Sequence, residues 1–132
     1  MFSPGTLLVV MAGGVIGVAL RAVAIVPFTG WTHPLVVPGL TLACNIIGSF
    51  LLGFVVGKLG NRHARWRAFL GTGILGGFTT YSAFAVQSVD IAAASPVIGL
   101  LLVAVSLFGG VLAAAVGLSL ATRSMPAPED AE

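Results

Sequence analysis

The stretch Gly73–Phe84 combines glycine, hydroxyl and aromatic residues inside an uncharged segment, Ala68–Val89, that is long enough to span a bilayer. Within it, Thr79, Thr80 and Ser82 lie in four consecutive positions. In hydrocarbon, every backbone N–H and C=O must be satisfied within the protein, so such a segment is expected to break where it faces protein or a water-filled path. We therefore predict a broken membrane helix that builds an ion site. The alternative is that the glycines serve only close helix packing.

A second polar stripe precedes this stretch. Thr41, Asn45 and Ser49 are spaced i, i+4 and i+8, which places them on one face of an otherwise apolar helix. The Asn45 amide offers two N–H donors and one carbonyl acceptor, and a polar side chain in hydrocarbon is costly unless it finds partners. These side chains either form hydrogen bonds between helices or line one wall of a polar path. The hydroxyls of the later segment favour the path.

Aromatic residues accompany the hydroxyls. Tyr81 and Phe84 are three residues apart and would share a helix face, with Thr80 and Ser82 beside them. The positive edges of aromatic rings can face an anion, and hydroxyl and amide donors can replace the water of a small hydrated anion. A neutral, donor-lined path suits fast conduction, which requires weak or distributed binding. Arg21, late in the first apolar run, either extends its charge to the interface or attracts anions to a vestibule.

These residues must be positioned by membrane helices. The mean hydropathy is +1.10, and 58% of the residues are hydrophobic while 8% are charged, which excludes an ordinary soluble domain. We predict one all-α integral membrane domain over residues 1–132, in the cell (plasma) membrane, ending in a disordered polar tail at 123–132. The four apolar windows are Thr6–Val26, Val36–Gly57, Ala68–Val89 and Pro96–Thr122. Since no Lys or Arg precedes the first window, we do not expect a cleavable signal peptide.

The basic residues predict an orientation. With four spans, both termini and the loop at 58–67 lie on one side of the membrane. Five of the six basic residues fall on that side, and Arg21 is the sixth. Basic residues favour the cytoplasmic side, so both termini are predicted to be cytoplasmic. The five are Lys58, Arg62, Arg65, Arg67 and Arg123.

Small residues spaced four apart recur along the chain and allow close helix approach. Together with the difficulty of enclosing a pore with only four helices, they favour an oligomer, most simply a dimer. Packing within one chain is the alternative for any single pair. The pairs are Gly13/Gly17, Ser49/Gly53, Gly53/Gly57, Gly73/Gly77 and Ala113/Gly117.

Taken together, the motifs resemble the CrcB/Fluc family of fluoride channels over essentially the whole chain. They are Gly13-Gly-x-x-Gly17-x-x-x-Arg21, Gly39-Leu-Thr41-x-x-x-Asn45-x-x-Gly48-Ser49-Phe50-x-x-Gly53 and Gly73-x-x-Gly76-Gly77-Phe78-Thr79-Thr80-Tyr81-Ser82-Ala83-Phe84. The resemblance implies a dimer of oppositely oriented subunits with two narrow fluoride pores. It also implies a structural Na⁺ on the two-fold axis, held by the backbone carbonyls at the positions of Gly76 and Thr79, since carbonyl oxygens suit a hard cation.

Position by position, the resemblance assigns Asn45 and Phe84 to the pore lining, and Ser106 of the fourth span is aligned to the polar track. Tyr81 stands where the family has its first pore phenylalanine. Ala83 and Gln87 also depart from the usual Thr and Glu. Because the loop charge is unbalanced as well, we hypothesise that the chain is one half of a heterodimer rather than a homodimer.

Other functional classes make different demands on the sequence. A small multidrug-type exporter would need a membrane-embedded carboxylate, and Asp90 near a helix end is a poor substitute. A non-conducting subunit of a heterodimeric channel also fits the departures. An enzyme is not expected, because no cluster of His, Cys or carboxylate residues within the spans could do acid–base or metal chemistry.

Overall fold

Four apolar helices dominate the computed structural model, which describes residues 3–60 and 63–123. The segments long and apolar enough to cross a membrane are Pro4–Phe28, Val36–Leu59, Ala64–Ala94 and Pro96–Arg123. The prediction of an all-α protein with four spans is confirmed. The third span is longer at both ends than its predicted window. Of the predicted tail, only Arg123 falls within the described residues, at the end of the last helix.

Local signals in the sequence account for the helix ends. Helix α1 (Pro4–Ile25) begins after Ser3, whose hydroxyl accepts the Thr6 N–H at 3.2 Å as an N-cap. Helix α2 (Val36–Leu59) stops at Gly60, which adopts a φ of 49°. Ser95 is extended, as expected for a residue before proline, and separates the third span from the long final helix.

The third span is interrupted, as its sequence predicted. It consists of α3 (Ala64–Arg67), a π-helical segment (Ala68–Leu75), α4 (Gly76–Phe78) and α5 (Tyr81–Ala94). Between α4 and α5, Thr79 and Thr80 are both extended, with ψ angles of 155° and 117°. The broken helix is thus confirmed, and the break is confined to these two residues. The π-helical segment was not predicted.

Backbone-to-backbone packing joins α1 to the first half of the third span (residues 64–78). A Cβ added to Gly13 would lie 2.6 Å from the Phe69 carbonyl oxygen, and one added to Gly77 would lie 2.5 Å from that of Gly14. Both distances are shorter than a carbon atom tolerates, so only glycine permits this approach. Packing within one chain therefore uses the predicted surfaces Gly13/Gly17 and Gly73/Gly77.

Helix α2 packs along α6 (Pro96–Arg123) in the same way. A Cβ at Gly53 would contact the Ala114 carbonyl oxygen, and one at Gly117 would contact that of Phe50. Helix α5 packs on α6 as well. The small-residue pairs therefore hold this chain together, and the prediction of a dimer loses them as support.

Candidate functional site: a polar groove beside the broken helix

A groove of about 970 Å³ runs between α2, the third span and α6. It collects eight of the residues singled out from the sequence. They are Asn45, Ser49, Gly76, Thr79, Thr80, Tyr81, Phe84 and Ser106. The remaining lining is largely aliphatic. The two polar stripes predicted on the second and third spans thus meet in one place, opposite Ser106 of α6.

Asn45 is bonded to the break itself. Its Oδ1 accepts the Thr80 N–H at 2.8 Å, and its Nδ2 donates to the Thr80 carbonyl at 3.1 Å. The amide therefore satisfies two backbone groups that the break removes from the helical ladder. One N–H and further acceptor capacity remain on Asn45. The side chain can hold the break and still present a donor to the groove.

Arg21 reaches the same break from α1. Arg21 is half-buried, and its Nη1 donates to the Thr79 carbonyl at 3.2 Å. The sequence allowed two roles for Arg21, either a charge extended to the membrane interface or an attraction of anions to a vestibule. In the structure its guanidinium instead lies at the broken backbone. Arg21 does not line the groove, although four of its five N–H donors remain after this hydrogen bond.

The two aromatic side chains lie together at the groove. The ring centroids of Tyr81 and Phe84 are 6.5 Å apart, and their planes meet at 49°. Tyr81 is 82% exposed within the single chain. An amphipathic ring this exposed in a membrane protein is placed to meet lipid, a partner subunit or the ion path.

The described lining of the groove carries positive but no negative charge. Among the described residues that line it, Arg67 is the only charged one, and no carboxylate is present. Asn45, Ser49, Thr80 and Ser106 supply N–H and O–H groups. Such a lining favours an anion over a cation, because donors can replace an anion's water while no fixed negative charge repels it.

Two predicted residues lie outside this lining. Thr41 is 1% exposed, and its hydroxyl donates to the Val37 carbonyl one turn earlier at 3.0 Å. Ser82 is exposed, with its hydroxyl 3.3 Å from that of Thr80. The polar stripe on α2 therefore contributes two side chains to the groove rather than three. Ser82 contacts the groove only through Thr80.

Some residues that build the groove were missed by sequence reasoning. Gly48 faces Thr79, where an added Cβ would contact Cγ2, and Gly110 of α6 faces the Ser49 hydroxyl. Thr72, in the π-helical segment, adds another exposed hydroxyl. Gly48 stands one position before Ser49 within a matched motif, which was a usable signal. Nothing comparable marked Thr72.

The departures from the family pattern fall in different environments. The Thr80 hydroxyl accepts the Ala83 N–H at 3.3 Å and so caps α5. Gln87 lies away from the groove, in a separate pocket of about 460 Å³ that His33 and Asp90 also line. Any loss of ion conduction caused by Gln87 would therefore arise at this second pocket.

The break also offers backbone oxygens for a cation. In a continuous helix the Gly76 carbonyl would accept the Thr80 N–H, but that N–H is bonded to Asn45. Gly76 is exposed and lines the groove, so its carbonyl fits a hard cation. The Thr79 carbonyl retains one lone pair beside Arg21. Within the described residues, no three His, Cys, Asp or Glu side chains come together to hold a metal.

Comparison with known proteins agrees with this architecture. Residues 8–118 match the family described as CrcB-like protein, Camphor Resistance (CrcB). The chain is 37% identical over 116 residues to a protein of Bacillus subtilis (strain 168) named fluoride-specific ion channel FluC 2, covering 86% of each chain. It is 41% identical over 113 residues to a protein of the same name from Halalkalibacterium halodurans, covering 84% of this chain and 81% of the relative.

A third relative, from Leifsonia xyli subsp. xyli, is also named fluoride-specific ion channel FluC 2. It is 40% identical over 102 residues, covering 71% of this chain and 67% of the relative. These relatives are named as ion channels rather than enzymes, which agrees with the expectation of no catalytic centre. The family match spans most of the chain and covers most or all of each of the four membrane helices. The chain belongs to the CrcB-like family of membrane proteins.

Proposed function

We propose that this chain is a subunit of a fluoride channel that lowers cytoplasmic fluoride by passive efflux. The observation that carries the proposal is the groove in which Asn45, Ser49 and Thr80 face Ser106 beside two aromatic rings. Fluoride is small and strongly hydrated, so it needs several N–H and O–H donors in exchange for its water. Relatives named as fluoride-specific channels support the choice of this anion.

The same lining argues against proton-coupled export of a cationic drug. Such an exporter needs a carboxylate within its substrate path, and the described part of the groove has none. Asp90 lies in the separate pocket beside His33. We therefore keep the multidrug-type exporter only as the alternative that an absence of fluoride flux would revive.

A second subunit is needed to complete the path. The groove is open in the single chain, and Tyr81 in its lining is 82% exposed, so without a second subunit its donors would face lipid. Polar groups at membrane depth must be covered by protein or water. An oppositely oriented copy, or a similar subunit, would supply the missing wall. The charge bias of the loops favours the heterodimer, because a chain that inserts both ways needs nearly balanced loop charge.

A structural Na⁺ at the dimer centre is part of the proposal. The Gly76 carbonyl, released from the helical ladder by Asn45, and the second lone pair of the Thr79 carbonyl would hold it. The cation would neutralise carbonyl oxygens contributed by both subunits. Replacing Na⁺ with N-methylglucamine should then lower the thermal stability of the purified dimer.

Fluoride efflux from proteoliposomes tests the function. The released fluoride is measured with an ion-selective electrode, and chloride serves as the comparison anion. Fluoride efflux well above that of chloride supports the channel. Efflux from this chain alone would count against obligatory pairing. No fluoride efflux, either alone or with a co-expressed similar subunit, would defeat the proposal.

A further inference from the structure

The break in the third span is held by a side chain from α2. In a continuous α-helix each N–H donates to the carbonyl four residues earlier, so the Thr80 N–H would donate to Gly76. It donates instead to Asn45 Oδ1 at 2.8 Å, and Asn45 Nδ2 donates back to the Thr80 carbonyl at 3.1 Å. The Gly76 carbonyl therefore lacks its helical donor because of a residue on another span.

The Thr79 carbonyl also lacks its helical donor and is bonded instead by a side chain from α1. In a continuous helix it would accept the Ala83 N–H. That N–H donates to the Thr80 hydroxyl at 3.3 Å, and the Thr79 carbonyl accepts from Arg21 Nη1 at 3.2 Å. Two helical hydrogen bonds across the break are thus replaced by side-chain bonds. Each replacement takes away the partner that would let the helix close.

The two residues at the break do not themselves force the interruption that the surrounding glycines and hydroxyls predicted. Neither Thr79 nor Thr80 is proline or glycine, and the Thr79 N–H still donates to the Leu75 carbonyl at 3.0 Å. In hydrocarbon an unpartnered backbone closes into a helix, since that satisfies its groups locally. We propose that Arg21 and Asn45 are positioning residues that keep the third span open at Thr79–Thr80 and leave the Gly76 carbonyl free to face the groove.

Closure would change the length of the span by a measurable amount. An extended residue advances about 3.3 Å along the chain and a helical residue about 1.5 Å. Converting Thr79 and Thr80 to helix would therefore shorten the span by roughly 3.6 Å. A distance measured across the break reports closure independently of ion conduction.

The test places spin labels at Ala64→Cys and Ala93→Cys, both exposed positions on either side of the break, in a Cys44→Ala background. Labelled protein is diluted with unlabelled protein, so that double electron–electron resonance reports distances within one chain. We expect Asn45→Ala and Arg21→Met to shorten the distance by roughly 4 Å. Arg21→Lys keeps a charged donor and should retain the parent distance.

Asn45→Asp is the matched control, because its carboxylate oxygen can still accept the Thr80 N–H that would close the helix. It should keep the parent distance even though its charge opposes an anion. If Asn45→Ala does not yield folded protein, Arg21→Met carries the test, since it removes a single hydrogen bond to the break and leaves Asn45 in place.

An unchanged distance in Arg21→Met and Asn45→Ala would overturn the proposal, even if fluoride efflux falls, because neither residue would then hold the break open. A shortened distance in Asn45→Asp equal to that in Asn45→Ala would also overturn it. The distances do not depend on conduction, so a parent protein that passes no fluoride would refute the proposed function while this test still stands.

Discussion

Gly48 of α2 lies directly against Thr79, so that a Cβ at this glycine would meet the Thr79 Cγ2 methyl group. The contact sets how closely the broken segment approaches α2, and hence whether Asn45 can reach Thr80. We predict that Gly48→Ala lowers fluoride efflux by about tenfold or more, equivalent to at least about 1.4 kcal/mol at the barrier. Thr79→Ser removes the methyl group and should restore much of the efflux in the double variant.

The control for this pair is Gly39→Ala on the same helix, where an added Cβ meets nothing within 4 Å. It should leave efflux near the parent value. If Gly48→Ala matches Gly39→Ala, or if Thr79→Ser gives no rescue, the approach of the break to α2 does not control conduction.

Asn45→Asp is expected to reduce fluoride efflux strongly, by about tenfold or more. The carboxylate adds a negative charge beside the proposed path and loses the N–H that donates to the Thr80 carbonyl. Efflux from proteoliposomes containing matched amounts of monodisperse protein provides the measurement. Unchanged efflux would remove Asn45 from the path.

Ser49 and Thr41 share a stripe on α2, but only Ser49 lines the groove. Ser49→Ala should lower fluoride efflux because it removes an O–H donor from the path. Thr41→Val is nearly isosteric and removes a hydroxyl bonded to the Val37 carbonyl, so efflux should change by less than about twofold. Equal losses in the two variants would mean that the path extends to Thr41.

Gly17 packs against the backbone of the third span, and an added Cβ would contact the Ile74 carbonyl oxygen. Gly17→Ala should lower the free energy of unfolding by about 1–3 kcal/mol or more, as overpacking does. Gly14→Ala is the control, because an added Cβ there meets nothing within 4 Å. Melting temperatures in detergent should separate the two variants, and coincident values would contradict the packing.

Orientation can be tested with reporters fused to the C-terminus. Five of the six basic residues lie on the side of the termini and the loop between the second and third spans. The positive-inside rule therefore predicts a cytoplasmic signal from the reporter. An extracytoplasmic signal would refute the orientation, and equal signals from both sides would favour a homodimer of oppositely inserted copies over a heterodimer.

Hydropathy and local composition predicted the four spans and the broken third helix, because both depend on which residues can remain in hydrocarbon. The meeting of Asn45 and Ser49 with the hydroxyls of the break followed from helical spacing. The reach of Arg21 to Thr79 did not, because it joins residues 58 positions apart through a flexible side chain. Sequence spacing also could not show that the Thr41 hydroxyl is satisfied locally by Val37.

The glycine pairs show a different limit. A spacing of four residues predicts a surface for close approach but does not identify the neighbour. From the sequence alone, Gly13 and Gly77 could equally have packed against a second copy of the chain or against a helix of their own chain. Only the tertiary arrangement shows that these surfaces are consumed within one chain.

The packing distinguishes two blocks of helices, α1 with the first half of the third span and α2 with α6 and α5, and α1 and α2 have few contacts with each other. Thr79 and Thr80 form the joint between them. Arg21 belongs to one block and Asn45 to the other, yet both are tied to this joint. Because each block holds this joint by a hydrogen bond, a relative tilt of the blocks would change the shape of the groove at Thr79 and Thr80.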